Sequence, residues 1–260
     1  MSPRYPATLR SILRAPANLR PLLLQSSGRA PYHSHEHPES QPYRGAESAI
    51  LSSALAHVPA HGFTHHALVL GAKDAGYLDI STNLFPEGPF ALVKYHLVTQ
   101  RLGLKDRFNF PGPAQQPQKM AGGVGRKVRA LVLERLKGNV DAGVVGRWQE
   151  ALGVMSLVEN VPQSARELWL LSDEMWFLAG DTEVDGSWYT KRASLAAVYA
   201  AVEVYQTTDQ STEFRDTEAF LDRRLEEVKT VGGLVSGTLE WAGFQAGALV
   251  NLMRSKGVRI

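Results

Sequence analysis

Apolar residues recur at helical spacing along most of the chain, and the clearest stretch runs from Leu168 to Tyr205. Leu168, Leu171, Met175 and Leu178 fall three, four and three residues apart, and Leu195, Val198, Val202 and Tyr205 repeat the stripe. Each set shares one face of a helix, so the pattern predicts two amphipathic helices joined by a short acidic turn. Pro162 and the run Ser164-Ala-Arg-Glu167 mark the first start, since a serine and a glutamate three residues on can satisfy two free amides reciprocally. Gly180 ends that helix, and Asp181 to Ser187 supply turn chemistry and a cap for the next. Trp169, Trp176, Phe177, Trp188 and Tyr189 lie beyond the stripe. One helix pair cannot bury all of them inward, so some are expected to face a ligand or a partner.

The rest of the chain follows the same period. A helix is predicted from Glu47 to Val58, with Ile50, Leu51, Leu55 and Val58 on one side. A short helix from Thr64 to Ala75 follows, opened by a threonine cap after Gly62. After the Gly76-Tyr77 turn a third helix is expected around Ile80 to Asn83, which completes the spacing of a helix-turn-helix. The runs AHGFTHHALVLGAKDAGY and LFPEGPFALVKYHL resemble the opening of a TetR-type regulator. The charges do not suit DNA. No Lys or Arg stands between Lys73 and Lys94, whereas Asp74, Asp79 and Glu87 do, and Asn83 is the one amide there. Base edges and phosphates need basic or amide side chains. Pro86 and Pro89 also cut the third helix short. Residues 46–104 therefore read as a degenerate helix-turn-helix region.

Further helices are predicted from Phe90 to Leu104, from Lys127 to Leu136, and from Val145 to Leu157 with Trp148, Leu152 and Met155 on one side. A last one, Thr212 to Val231, alternates acid and base and leaves Phe214, Phe220 and Leu221 to pack inward. A Pro/Gly/Gln-rich flexible loop is expected over 105–126. Its end, Gly122-Gly-Val-Gly-Arg-Lys127, looks like a phosphate loop but lacks the Gly-Lys-Ser/Thr ending and a preceding strand. No β pattern is present, so the fold class is all-α, with a helical bundle over 127–231.

Composition refines this picture at the termini. With 44% hydrophobic and 21% charged residues among 260, the chain can build a full core. It has no cysteine, which excludes disulfides and thiolate-held metals. Residues 1–35 carry Arg4, Arg10, Arg14, Arg20 and Arg29 and no acid, leaving 23 basic against 26 acidic residues elsewhere. A basic, acid-free, Ser- and Leu-containing leader reads as a mitochondrial transit peptide, followed by a linker over 36–45. His33, His35 and His37 alternate in a Pro-rich stretch at the start of this linker with no other ligand cluster nearby, so no metal site is expected. The near-neutral body gives no bulk attraction for nucleic acid.

At the other end Gly232-Gly233 and Gly237 suggest a hinge. Beyond it Trp241, Phe244, Ala248, Leu249 and Leu252 share one face, and Arg254, Lys256 and Arg259 close the chain. An amphipathic helix with aromatic anchors and basic residues suits a membrane surface, so Trp241, Phe244, Leu249 and Leu252 are candidate membrane-binding residues. Docking back on the domain as a last core helix fits the same pattern.

The central pair also carries a family resemblance. MWFLAGDTEVDGSWYTKRASLAAVY resembles the coenzyme Q (ubiquinone) biosynthesis accessory family, the ninth in that pathway's protein set. The shared features are Ala179, Gly180 and Asp181, then Asp185, then Trp188, Tyr189, Thr190, Lys191 and Arg192. VPAHGFT, NVPQSARELW and DTEAFLDRRLEEV agree in order and spacing, so the resemblance covers most of residues 46–231.

That resemblance implies a TetR-like bundle that is not an enzyme and has lost DNA binding but kept a pocket for isoprenoids and other lipids. It implies a peripheral protein on the matrix face of the mitochondrial inner membrane. The expected partner is the di-iron demethoxyubiquinone hydroxylase, with other ubiquinone-biosynthesis proteins, and the partner-facing patch would include Met175, Asp185, Trp188 and Tyr189. No cofactor and no catalytic residue are expected, and the metal would belong to the partner. Such folds are usually dimeric, a fold-level analogy. Residue chemistry fits a lipid carrier. An apolar cavity needs walls such as Leu168, Leu171, Met175, Leu195, Val198, Tyr199 and Val202. Full packing of these residues without a cavity is equally compatible with the pattern. Two other readings remain: a ligand-responsive TetR-type DNA-binding regulator, and a lipid-modifying enzyme using Asp181 or Asp185.

Overall fold

The computed structural model describes Tyr43 and residues 45–108, 123–181 and 187–234, the last four of these by backbone alone. All of them fall in one compact unit, His33–Ile260. Ten α-helices are described: α1 (Ala46–Leu55), α2 (Val58–His61), α3 (His65–Asp74), α4 (Pro89–Leu102), α5 (Leu104–Arg107), α6 (Val124–Asp141), α7 (Trp148–Met155), α8 (Val161–Leu178), α9 (Trp188–Gln206) and α10 (Arg215–Leu234). Three short 3-10 turns lie between them, and no strand occurs among the described residues. The all-α expectation agrees with this.

Two apolar clusters hold the helices. The first gathers α1, α3, α4 and α7 around Ile50, Leu51, Leu68, Phe90, Leu92 and Trp148, all essentially inaccessible to solvent. The second joins α5, α6, α8, α9 and α10 around Leu104, Leu131, Val132, Met175, Val202 and Leu221. Each buried aliphatic side chain of this kind contributes about 1.5–3 kcal/mol. Most of these helices are too short to persist alone, so their stability comes from these clusters. The antiparallel pair α8–α9 is the spine of the second cluster, and its stripe residues Leu171, Met175, Leu195, Val198 and Val202 are buried as the periodicity predicts.

Local signals decide the boundaries. Thr64 Oγ1 accepts from Ala67 N at 3.3 Å and caps α3. Gly71 lets α3 lie directly on α1: a Cβ there would sit 2.4 Å from Ala54 Cβ and 2.5 Å from Ala54 N. Gly180, at φ 95°, terminates α8 in a conformation that costs other residues energy. Asp209 accepts from Thr217 N at 2.8 Å and from Thr217 Oγ1, which ties the start of α10 to the end of α9.

Several boundaries depart from the sequence expectation. The capping box at Ser164 and Glu167 does not form. Helix α8 begins three residues earlier with Pro162 in its first turn, Ser164 Oγ donates to Asn160 O, and Glu167 is taken by Arg101 at 3.1 Å. The third helix of the helix-turn-helix is a six-residue 3-10 turn, Asp79–Leu84, because prolines follow at once and Lys73 pairs with Asp79. The loop expected over 105–126 is shorter at both ends, since Leu104–Arg107 is helical and α6 begins at Val124. Helix α10 begins after a 3-10 turn, Thr212–Phe214, where Glu213 and Phe214 both have positive φ. It includes Gly232 and Gly233, and Gly237, the third glycine of the expected hinge, lies outside the described residues. The leader at 1–35, the proposed tail helix and the membrane candidates Trp241, Phe244, Leu249 and Leu252 lie outside the described residues.

Candidate functional site

The motif around the α8–α9 turn is built from acids on and just beyond α8 and bases on α9. Lys191 and Arg192 are adjacent and so point in different directions round the helix. Lys191 Nζ reaches Asp181 at 3.0 Å, and Arg192 Nε donates to Asp173 Oδ1 at 2.5 Å. The second pair is buried, with both residues almost inaccessible. The Arg192 guanidinium also lies 3.9 Å from the Trp188 ring centroid, the geometry of a cation–π contact. Trp188 in turn packs edge-on to Tyr189 at 4.7 Å and against Trp169 at 5.9 Å, while Trp169 stacks on Tyr189 at 6.2 Å. Trp176 Nε1 donates to Lys191 O at 3.0 Å. The Ala-Gly-Asp and Trp-Tyr-Thr-Lys-Arg spacings therefore lock the helix ends together.

This geometry redistributes the expected partner patch. Met175 and Trp188 are buried, at 0% and 3% exposure, and Tyr189 is 69% exposed. Burial removes Met175 and Trp188 from the accessible surface, so Tyr189 alone of these three is exposed. Asp185 lies outside the described residues. Asp181, one of the acids considered for catalysis, is held by Lys191.

Two clefts flank the α8–α9 pair. The larger, of about 700 Å³, opens between α6, α9 and α10, with Trp176 of α8 at one side. Leu195, Val198, Val128, Leu225 and Val228 form its apolar lining. Arg126, Arg129, Lys191, Lys229, Asp222 and Glu226 also border it. Arg129 donates to Glu218 and Asp222, fastening α6 to α10 beside this cleft, and Asp222 is held below the usual carboxylate range chiefly by that hydrogen bond. The smaller cleft, of about 270 Å³, lies between α4, α6, α7, α8 and α9. Leu168, Leu171 and Tyr199 line it together with Leu152, Met155 and Val161.

The seven expected wall residues thus do not surround one hollow. Leu195 and Val198 face the larger cleft; Leu168, Leu171 and Tyr199 face the smaller one. Met175 and Val202 line neither and pack in the core between them.

A buried polar network runs beneath the smaller cleft, and the sequence reading missed it. His96 Nε2–H donates to Asn139 Oδ1 at 2.8 Å, and Arg135 Nη1 donates to the same oxygen at 2.7 Å. Tyr199 OH donates to Glu203 Oε1 at 2.8 Å, and Gln206 Nε2 to Leu136 O at 3.1 Å. Burial pushes the Glu203 carboxyl up although Arg135 opposes it, and pushes the His96 imidazole down to about 3 with Arg135 reinforcing the shift. The available signal was polar residues at i,i+4 on apolar faces: Arg135 and Asn139 among Val128, Leu131, Val132 and Leu136, and Tyr199 and Glu203 beside Val198 and Val202.

Among the described residues no group of three or more His, Asp or Glu side chains could hold a metal ion, and no helix is long and apolar enough to cross a membrane. The described residues define an all-α helical bundle with apolar clefts on either side of one locked helix pair. Residues 161–232, which include that pair, match the COQ9 family model. Over 236 residues the chain is 36% identical to the ubiquinone biosynthesis protein coq9, mitochondrial, of Schizosaccharomyces pombe, covering 91% of this chain and 90% of that one. It is 31% identical over 203 residues to the human ubiquinone biosynthesis protein COQ9, mitochondrial, and 32% identical over 207 residues to COQ9-A of Xenopus laevis. These alignments cover 62% and 63% of the two vertebrate proteins, less than two thirds of either. The chain belongs to the COQ9 family.

Proposed function

We infer that this protein binds a polyprenyl quinone intermediate and presents it to the demethoxyubiquinone hydroxylase at the matrix face of the mitochondrial inner membrane. As a COQ9 family member it serves ubiquinone biosynthesis in the mitochondrion. The observation that carries the finer reading is the larger cleft, whose accessible lining is mostly apolar and whose volume of about 700 Å³ is in the range of small-molecule sites. A polyprenyl chain is too apolar to cross water unaided, and Leu195, Val198, Leu225 and Val228 offer it a surface shielded from solvent. Exposed Tyr189, braced by buried Trp188 and half-buried Trp169, supplies a rigid aromatic suited to a partner interface.

In this reading the protein makes and breaks no covalent bond; it moves a substrate and docks. Asp181 and Asp173 are occupied by Lys191 and Arg192, consistent with structural roles at the helix ends. The test is reconstitution of the hydroxylase on vesicles at fixed substrate density, with and without this chain. Turnover should rise several-fold when it is added, and the Tyr189→Ala protein should fail to produce the rise. Equal rates with and without the chain would refute presentation, and product formation by the chain alone would replace it with catalysis.

A further inference from the structure

The smaller cleft differs from the larger in the chemistry of its floor. Its walls are Leu152, Met155, Leu168 and Leu171, and its polar residues include Arg135, Tyr199 and Glu203. Arg135 is fully buried. Its Nη1 is used on Asn139, but Nε and Nη2 have no hydrogen-bond partner among the described residues. Glu203 Oε1 lies 4.0 Å from Nη2, beyond hydrogen-bond reach, and already accepts from Tyr199 OH. A guanidinium has only donors to offer, so two of its nitrogens call for an acceptor oxygen in an otherwise apolar recess.

The charges nearby narrow the class of acceptor. Glu203 and Glu167 both line the cleft, and Glu167 is already paired with Arg101. A carboxylate or phosphate on the ligand would enter beside two acids. A neutral carbonyl would meet the same donors without that repulsion. Size narrows it further: about 150 Å³ is enough to hold benzene in an apolar protein cavity, and this cleft has about 270 Å³. That suits one six-membered ring with small substituents and does not suit a long chain.

We propose that the smaller cleft binds the oxygenated ring of a neutral quinone, with Arg135 Nε and Nη2 donating to a ring carbonyl and Leu168, Leu171 and Met155 enclosing the ring. The assignment rests on the reading of the chain as a quinone carrier and names the group that recognises the polar end of its ligand; because Met175 and Val202 fill the space between the two clefts, the isoprenoid tail of a ring held here leaves by the mouth of the smaller cleft and not through the core. Tyr199 and Glu203 then act as positioning residues, since their mutual hydrogen bond and the Glu203–Arg135 pair set where the guanidinium stands.

The experiment is calorimetric titration of the full chain with a benzoquinone bearing one isoprene unit, with farnesol as a ring-free ligand and oleate as an anionic one. Arg135→Met should weaken quinone binding at least tenfold and leave farnesol binding unchanged. Quinone affinity unaltered by Arg135→Met would overturn the ring site while leaving the carrier reading intact. Failure of the unaltered chain to bind either quinone or farnesol would remove the carrier reading and the ring site with it. Oleate bound more tightly than quinone, and lost in Arg135→Met, would replace the neutral ring by an anion.

Should Arg135→Met not fold, Gly153→Phe tests the same cleft. Gly153 lines it from α7, and a Cβ there meets nothing within 4 Å, so the backbone has room for a side chain at the cleft wall. Quinone binding should then be lost with farnesol binding kept; retained quinone binding would overturn the assignment.

Discussion

Adjacent aromatics at the start of α9 should fail in opposite ways when truncated. Trp188 is 3% exposed and carries the Arg192 guanidinium 3.9 Å from its centroid, with Tyr189 and Trp169 rings at 4.7 and 5.9 Å. Replacing a buried tryptophan by alanine leaves a cavity and costs about 3–5 kcal/mol. For a folded body of this size each kcal/mol moves the midpoint by about 2–4 °C, so Trp188→Ala should lower Tm by roughly 6–20 °C. Tyr189 is 69% exposed, and substitutions at such positions usually stay within about 0.5 kcal/mol, so its Tm should move by no more than about 2 °C. The order reverses in hydroxylase binding. A hot-spot aromatic contributes about 2 kcal/mol or more, so Tyr189→Ala should raise Kd by roughly thirtyfold. Thermal unfolding followed by circular dichroism gives the first pair of numbers, and biolayer interferometry against the immobilised hydroxylase gives the second. The reasoning fails if Trp188→Ala melts within 2 °C of the parent, or if Tyr189→Ala binds the hydroxylase unchanged.

Other expectations follow from single contacts. His96 is buried neutral with its pKa near 3, below the ordinary value of about 6.5 that it regains on unfolding. Its contribution is therefore complete above pH 6.5 and is lost as pH falls from 6.5 toward 3, at about 1.4 kcal/mol per unit. Glu203 works in the opposite sense because its pKa is raised, so the comparison is with His96→Gln. The parent's urea midpoint should fall more steeply than the variant's between pH 6.5 and 4.5, and parallel curves would contradict the burial argument. Gly71→Ala should destabilise by about 1–3 kcal/mol through overpacking against Ala54, despite alanine's better helix propensity; equal or higher urea resistance would show that α1 can move aside. Removing residues 238–260 should reduce binding to anionic vesicles at least tenfold if Trp241, Phe244, Leu249 and Leu252 anchor the chain, and unchanged binding would place the membrane contact elsewhere.

Periodicity was informative where one force dominates. The stripes of α8 and α9 mark the faces that are buried, and Thr64 and Gly180 mark helix ends because their effects are local. It was silent where the partner is distant in sequence. Glu167 reads as half of a capping box, yet it pairs with Arg101, 66 residues away. Gly232 and Gly233 read as a hinge, yet they stay within α10. Propensity gives a bias of about 1 kcal/mol per glycine, which the surrounding structure can override.

The candidate site shows the same division. A stripe shows which face of a helix is apolar but not what lies opposite it. The stripes read as walls of one cavity, yet Leu168 and Leu195 open onto different clefts because the core residues Met175 and Val202 fill the space between. Trp188 and Tyr189 are adjacent and chemically alike; helix geometry points them in different directions, and the Arg192–Asp173 pair beneath Trp188 marks which direction is the buried one. The Arg135–Glu203 network was legible in principle, as charged residues placed four apart on otherwise apolar faces.

The most direct test of lipid carriage is to purify the protein from mitochondrial membranes under native conditions and identify what co-purifies by lipid mass spectrometry. A polyprenyl quinone or its biosynthetic intermediate should be recovered in near-stoichiometric amount, and Leu195→Trp together with Val198→Trp, which fill the larger cleft, should deplete it. Recovery of protein free of any isoprenoid, or of the same lipid undiminished in the filled-cleft variant, would contradict the account.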